Sequence, residues 1–434
     1  MQPGRELWRN WARNLSWRPA RTLRPATTDE VVQIVREARD AGRHIRPVGA
    51  AYSYTPLAET DQDLVCLDAS AGVERVDLGR GIAVVRPGTR LGPLVNELAQ
   101  HGAALANLGD IDRQGIAGAI ATGTHGTGIT IPSLSGQVKA LTLVTGEAEV
   151  LELDEHSPLF PAAQISLGAL GIITSITLQI QPLYSLRIER GAEPFETLLP
   201  QLRERIARNR GFEFFWFPSD RLAYTKIMNE LPGLAKLKLA SEAVRAVSDI
   251  VVENGLLWLA CESLLRWPGL RRPWLRLAEL TMAADTAYRP AHRAYATPRL
   301  VRHFEVEYAL PAERAADVLA ALADLLRERP VNTVVPIEVR FSAAEDIPLS
   351  PAYGRPVVWI AVHTYDKEDY QEYFDRCEQL FLSFDGRPHW GKFHSLTGPE
   401  LRRRYPRWDD FQAATRTLDP QYVFSNAYLE RLLG

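Results

Sequence analysis

The stretch Gly109-Asp-Ile-Asp-Arg-Gln-Gly-Ile-Ala-Gly-Ala-Ile-Ala-Thr-Gly-Thr-His-Gly-Thr-Gly128 constrains this chain more than any other. Glycines at 109, 115, 118, 123, 126 and 128 alternate with small residues, among them Thr122, Thr124 and Thr127, with His125 between them. Almost no large side chain interrupts the run. Such a run lets backbone amides approach a ligand closely and donate to phosphate oxygens. A tightly packed core turn would use the same residues. The stretch has neither the G-x-G-x-x-G spacing after a strand nor G-x-x-x-x-G-K-[ST], which disfavours a nicotinamide Rossmann site and a P-loop NTPase.

At 434 residues the chain exceeds one ordinary domain, and a hydrophobic fraction of 46% with 24% charged residues describes a globular protein with a full core. The 50 basic and 53 acidic side chains give a net charge of −3, which argues against a nucleic-acid binder. Cys66, Cys261 and Cys377 are scattered and odd in number, so neither a disulfide framework nor a cysteine zinc site is expected. Residues 1–18 lack a signal-peptide core, and the longest apolar run, 255–261, stops at Glu262, far short of a bilayer span. A cytoplasmic protein is expected.

Local patterns give an α+β reading. Thr27-Thr-Asp-Glu30 forms a capping box ahead of apolar positions Val31, Ile34, Val35 and Ala38, with Gly42 ending the helix. Segments 64–67 and 82–85 read as strands, 138–145 and 148–153 as a hairpin about Gly146, and 172–180 as another strand. Composition shifts after Pro182: 186–230 is strand-like and aromatic, while 231–300 is helical, basic and Trp-rich. A helix over 313–327 and strands over 334–341 and 357–363 follow.

Three segments in order, Pro47-Val-Gly-Ala-Ala-Tyr-Ser53, the Gly109–Gly128 stretch and Leu167-Gly-Ala-Leu-Gly-Ile-Ile-Thr-Ser-Ile-Thr-Leu178, resemble the FAD-binding half of the vanillyl-alcohol-oxidase flavoprotein superfamily. Later, Phe304-Glu-Val-Glu-Tyr-Ala-Leu-Pro311, Ile337-Glu-Val-Arg340, His389-Trp-Gly-Lys392 and Asp419-Pro-Gln-Tyr-Val-Phe-Ser-Asn-Ala-Tyr428 resemble its aldonolactone and alditol oxidase branch. The resemblance implies a two-lobed FAD-binding domain at 1–183. A substrate (cap) domain at 184–434 would carry an antiparallel sheet flanked by helices, with about 395–434 packing back on the first.

It also implies residue roles. Pro47, Gly49, Ala50, Ala51, Tyr52 and Ser53, Gly109, Gly115, Gly118 and the backbone of Thr122, Gly123, Thr124, His125, Gly126, Thr127 and Gly128 would hold FAD, its pyrophosphate above all. Gly171, Ile172 and Ile173 would lie along its adenosine portion. Many members carry a flavin-linked histidine where this chain has Tyr52, so FAD bound without a covalent bond is expected; His125 is the alternative anchor.

Glu338 and Arg340, two apart on a strand, share a face. Alone they read as a structural ion pair; the resemblance makes them contacts for substrate hydroxyls and for a carbonyl or flavin oxygen. It makes His363, or in second place Glu338, the acceptor of the hydroxyl proton. Lys392 becomes the cation facing the reduced flavin. The implied reaction passes a hydride from a carbinol carbon of a sugar lactone or polyol to flavin N5, then electrons to oxygen. Two alternatives remain: a dehydrogenase of the same scaffold with another acceptor and a tailored substrate, and a non-catalytic ligand-binding relic. His389 and His394 lack a zinc motif, so no metal is expected, and no G-x-S-x-G elbow supports a hydrolase. The basic stretch 266–276 reads as a solvated face, with an anionic membrane or partner surface second.

Overall fold

The computed structural model describes residues 6–218, 220–235, 254–281 and 284–434. The first helix, Thr28–Asp40, starts where Thr27 Oγ1 accepts from the Glu30 amide at 3.3 Å, and it buries Val31, Val35 and Ala38. Glu30 reaches back one residue further than a capping box, accepting from the Ala26 amide at 2.7 Å. Gly42 follows at φ +62°, a conformation that suits glycine.

Three sheets organise the chain. A parallel sheet runs Arg21–Leu23, Asp63–Cys66, Ile45–Val48. An antiparallel one runs Val150–Asp154, Val138–Val144, Ile172–Gln179, Ile82–Val85, Val73–Asp77. The largest has eight antiparallel strands in the order Asp285–Pro290, Ser185–Pro194, Leu222–Glu230, Gly211–Trp216, Ile337–Ser342, Val357–Tyr365, His303–Pro311, Arg387–Pro388.

The period-2 alternation of strands decides the two faces of the large sheet. One face presents Phe212, Phe214, Val306, Tyr308, Val339, Phe341, Val358 and Ile360 to the helices Ala315–Glu328 and Gln371–Ser383, which contribute Val318, Leu322, Phe374 and Phe381. The residues between them, Glu213, Glu305, Glu307, Arg340 and His363, are also buried, on the opposite face. That face meets the glycine-rich segment: the Gly128 amide donates to Phe341 O at 2.8 Å, and Thr127 Oγ1 donates to Phe212 O at 2.5 Å.

The C-terminal helices lie against the N-terminal part of the chain. Leu401, Tyr405, Phe411, Leu418 and Leu432 share a core with Leu57, Ile165, Leu167 and Leu170. The buried Arg46 guanidinium donates to the carbonyls of Leu57 (2.7 Å), Gly168 (2.9 Å), Leu167 (2.8 Å) and Phe424. Four carbonyls from three distant segments thus satisfy one buried cation.

Three local readings change. Within the stretch read as strand-like, Phe195–Leu198 and Leu202–Arg208 are helices. Asp285–Pro290 is a strand within the stretch read as helical, because pairing with Ser185–Pro194 outweighs its weak local preference. The strand expected from 334 begins at Ile337, after Pro336, which has no amide to give a ladder. Residues 236–253 of the helical reading lie outside the described residues, whereas Leu256–Arg266 and Arg271–Thr281 are helices.

Candidate active site

A groove of about 1100 Å³, open to solvent, runs between the loop 47–53, residues 114–122 and residues 166–173. Pro47, Gly49, Ala50, Ala51, Tyr52, Ser53, Gly115, Gly118, Thr122, Gly171 and Ile173 line it. The loop is tied down through its carbonyls: Ala51 O accepts from the Trp11 amide at 2.8 Å and Ser53 O from Asn10 Nδ2 at 3.0 Å. Among the described residues no protein acceptor takes the amides of Gly49 to Ser53. Across the groove, a Cβ on Gly49 would make only ordinary van der Waals contact, 4.0 Å from Gly118 Cα. Free amides on a side-chain-poor wall suit the pyrophosphate of a dinucleotide. The residues present fit FAD. Tyr52 stacks on Trp11, with ring centroids 5.7 Å apart.

The glycine-rich stretch does not act as one loop. Gly109 and Gly123 to Gly128 are outside the groove lining, as is Ile172, which belongs to the core beneath the parallel sheet. Thr124, His125 and Thr127 are buried. His125 stacks on Trp359 at 3.8 Å, its Nδ1 donates to Gly126 O at 3.0 Å, and its Nε2 lies 3.1 Å from Glu307 Oε1. A carbonyl oxygen only accepts, so Nδ1 carries a proton. Burial alone would raise the Glu307 carboxyl; the neighbouring His125 outweighs it and brings the group down to about 2.

The buried face of the large sheet is a field of charge set by register. Lys226 lies opposite Glu213, and their side chains meet at 2.7 Å. Along the adjoining strands Glu213, Arg340 and Trp359 fall into one row, with Arg340 directly opposite Trp359. Arg340 touches Asp110 (2.6 Å), Glu213 (3.3 Å) and Glu338. These contacts are ionic rather than aligned: Arg340 Nε and Nη2 and Glu338 Oε1 make no hydrogen bond among the described residues. Buried polar atoms with unused valence are what a polyhydroxylated substrate can satisfy. Burial pushes the Glu338 carboxyl up to about 7 against the pull of Arg340.

One register step further, His363 lies opposite Glu305. His363 Nδ1 donates to Pro336 O at 2.7 Å, leaving Nε2 as the basic nitrogen, 3.6 Å from Glu305 Oε1. Lys392 Nζ contacts Glu305 Oε2 and lies 5.3 Å from the centre of the Tyr54 ring. Burial would raise the Glu305 carboxyl, but Lys392 and His363 hold it well below the usual range. His303, its Nδ1 donating to Val301 O, is pushed down to about 3 by burial and by His363.

The four residues singled out for chemistry therefore share one face, in two clusters: Glu338 with Arg340, and His363 with Lys392 through Glu305. Sequence reasoning missed Asp110, Glu213, Arg299, Glu305, Glu307 and His303. The trace of some was there: Glu305 and Glu307 are acids at period 2 inside an apolar strand, and Glu213 is the lone charge in Gly-Phe-Glu-Phe-Phe-Trp.

Comparison with known proteins decides the family. Residues 176–432 match the D-arabinono-1,4-lactone oxidase family, and residues 19–154 match the FAD binding domain. The chain belongs to the D-arabinono-1,4-lactone oxidase family. It is an FAD-dependent oxidoreductase. Across 99% of both chains it is 39% identical to an L-gulono-1,4-lactone dehydrogenase of Mycobacterium tuberculosis. Across 98% of both it is 32% identical to an alditol oxidase of a Streptomyces species. The cholesterol oxidase of B. sterolicum shares the fold, with a TM-score of 0.81 at 20% identity over 99% of this chain and 97% of that one. Among the described residues no helix of this family member is long and apolar enough to cross a membrane.

Proposed function

We propose that this chain oxidises a primary or secondary alcohol of a sugar lactone or polyol, D-arabinono-1,4-lactone among the candidates, with FAD held non-covalently along the groove. The relatives' activities support the substrate class, and Tyr52, a phenol on the groove wall, supports attachment without a covalent bond. Residues 1–183 form the FAD-binding unit, with the pyrophosphate on the amides of 49–53 and the turn at 115–122. Residues 184–434 form the substrate unit, whose last forty residues close back on the first.

FAD, when bound, supplies the hydride acceptor. The chain's own residues handle the substrate and the proton. Glu338 accepts from substrate hydroxyls, and Arg340, whose Nε and Nη2 face carboxylates without aligned hydrogen bonds, donates to a substrate oxygen. His363 Nε2 takes the hydroxyl proton. The observation that carries this assignment is the Nδ1–H bond to Pro336 O, which fixes the tautomer with the lone pair facing Glu305. Once protonated, the ring finds a carboxylate already in place. Lys392 keeps that carboxylate ionised, and its ammonium is the fixed cation of the site.

Oxygen is the first acceptor to test. The dehydrogenase relative at 39% identity favours the second reading, a non-oxygen acceptor. Anaerobic mixing of the purified holoprotein with L-gulono-1,4-lactone, D-arabinono-1,4-lactone and an alditol decides both points. Bleaching of the flavin band supports the substrate class, and peroxide on admitting air identifies oxygen as acceptor. A flavin that none of the three reduces overturns the proposal.

A further inference from the structure

The helical hairpin Leu256–Arg266 and Arg271–Thr281 takes no part in the site above. Trp274 Nε1 donates to Ser263 Oγ at 2.7 Å and locks the second helix to the first. The inner side of the first helix is apolar and accounted for: Ala260, Cys261 and Leu264 pack on Val301, Val334, Val335 and Tyr365. Its outer side is apolar as well. Trp258 is 52% exposed, Leu259 and Leu265 are exposed, and Trp267 at the turn is 61% exposed. Leu280 on the second helix is 78% exposed. A helix that is hydrophobic on both sides has a second environment to bury.

Charge says which one. The hairpin carries Arg266, Arg271, Arg272 and Arg276 against Glu262 and Glu279, net +2 in a chain of net −3. Two of its charges have protein partners: Arg271 donates to Thr333 O and Pro218 O, and the half-exposed Glu262 meets Lys367 and Tyr365. Arg266, Arg272 and Arg276 are exposed and make no ion pair among the described residues. Arg272, Arg276 and Leu280 recur every four residues along one stripe. Exposed tryptophans beside arginines and leucines suit the headgroup boundary of an anionic bilayer: the rings bury in the acyl border while the guanidinium groups meet lipid phosphates.

We propose that this hairpin docks the protein peripherally on a membrane surface rich in anionic lipid, with Trp258, Trp267 and Leu280 entering the interface. Neither helix, at 11 residues, spans the membrane. Docking there brings the ends of the strands that carry His303 and His363 toward the bilayer, since Val301 and Tyr365 lie directly beneath the first helix.

The test is co-sedimentation of the holoprotein with vesicles of phosphatidylglycerol and phosphatidylcholine, and with pure phosphatidylcholine, at low and physiological salt. Binding to the anionic vesicles at least tenfold above the neutral ones, falling with salt, is expected. Trp258→Ser combined with Trp267→Ser should reduce it about tenfold, as should Arg272→Gln combined with Arg276→Gln, with flavin absorbance and melting temperature unchanged. Absence of binding, binding that ignores lipid charge, or binding that survives both variants overturns the proposal. So does a lipid-free dimer that the tryptophan variant abolishes, which would make a second copy the occupant.

Discussion

Asp110 Oδ2 lies 2.6 Å from Arg340 Nη2 and 2.5 Å from Arg299 Nη2, so one carboxylate of the glycine-rich segment is bound to two guanidinium groups, the buried Arg340 and the half-buried Arg299. Burial opposes ionisation of Asp110, and Arg340 and Arg299 overcome it, holding the group below the usual carboxylate range. Asp110→Asn leaves both arginines short of charge, and breaking such a pair costs about 3 kcal/mol. A lowered denaturant midpoint is expected; a midpoint equal to wild type would show the contact to be incidental.

Glu338→Gln should lower kcat by about 10²-fold while flavin content stays constant. It should also change how stability follows pH. The folded carboxyl at about 7 lies above its unfolded value of 4.5, so the folded state binds the proton more tightly. That stabilisation is complete below pH 4.5 and is lost as pH rises through 7, a change of order 3 kcal/mol. Melting curves at pH 5 and pH 8 should therefore converge in the variant; an unchanged gap would remove Glu338 as its source.

Glu305→Gln removes the carboxylate behind His363 Nε2 and leaves Lys392 without its partner. The acid limb of the kcat/KM profile should move to lower pH by roughly one unit, with a lower plateau. Glu305→Asp should restore part of the plateau. If the plateau falls but the limb stays put, Glu305 is holding structure and not charge.

Acid precipitation of the wild-type holoprotein should send the yellow colour to the supernatant. His125, the other anchor considered, is outside the groove lining, stacked on Trp359 and 3.1 Å from Glu307 through Nε2. Colour retained in the pellet would contradict the Tyr52 argument directly.

Gly126→Ala tests the packed half of the glycine-rich segment. A Cβ there would stand 2.5 Å from both Asn107 Oδ1 and Leu108 O, a clash that costs about 2 kcal/mol or more. Loss of soluble protein or a lower melting temperature is expected, whereas wild-type stability would mean the segment can shift.

Much of this was legible before the structure. The helix starting at Thr28, the hairpin flanking Gly146 and the same-face placement of Glu338 and Arg340 follow from caps and period-2 spacing, which are local. What was not legible is nonlocal. That Arg340 meets Glu213 depends on the register between two strands more than a hundred residues apart, and that it meets Asp110 depends on a loop docking under the sheet. The division of Gly109–Gly128 into a groove-lining half and a buried half likewise has no local cause; small residues serve ligand approach and tight packing equally well.

Arg46 carries a consequence for long-range coupling. The groove wall that begins at Pro47 is anchored one residue earlier, by a guanidinium that needs Phe424 O, and the Ile45 amide likewise donates to Val423 O. The wall of the groove and the segment 423–424 are thus tied together across 378 positions of sequence. Loosening either segment loosens the other, so the groove is as sensitive to damage at 423–424 as to damage in its own loop.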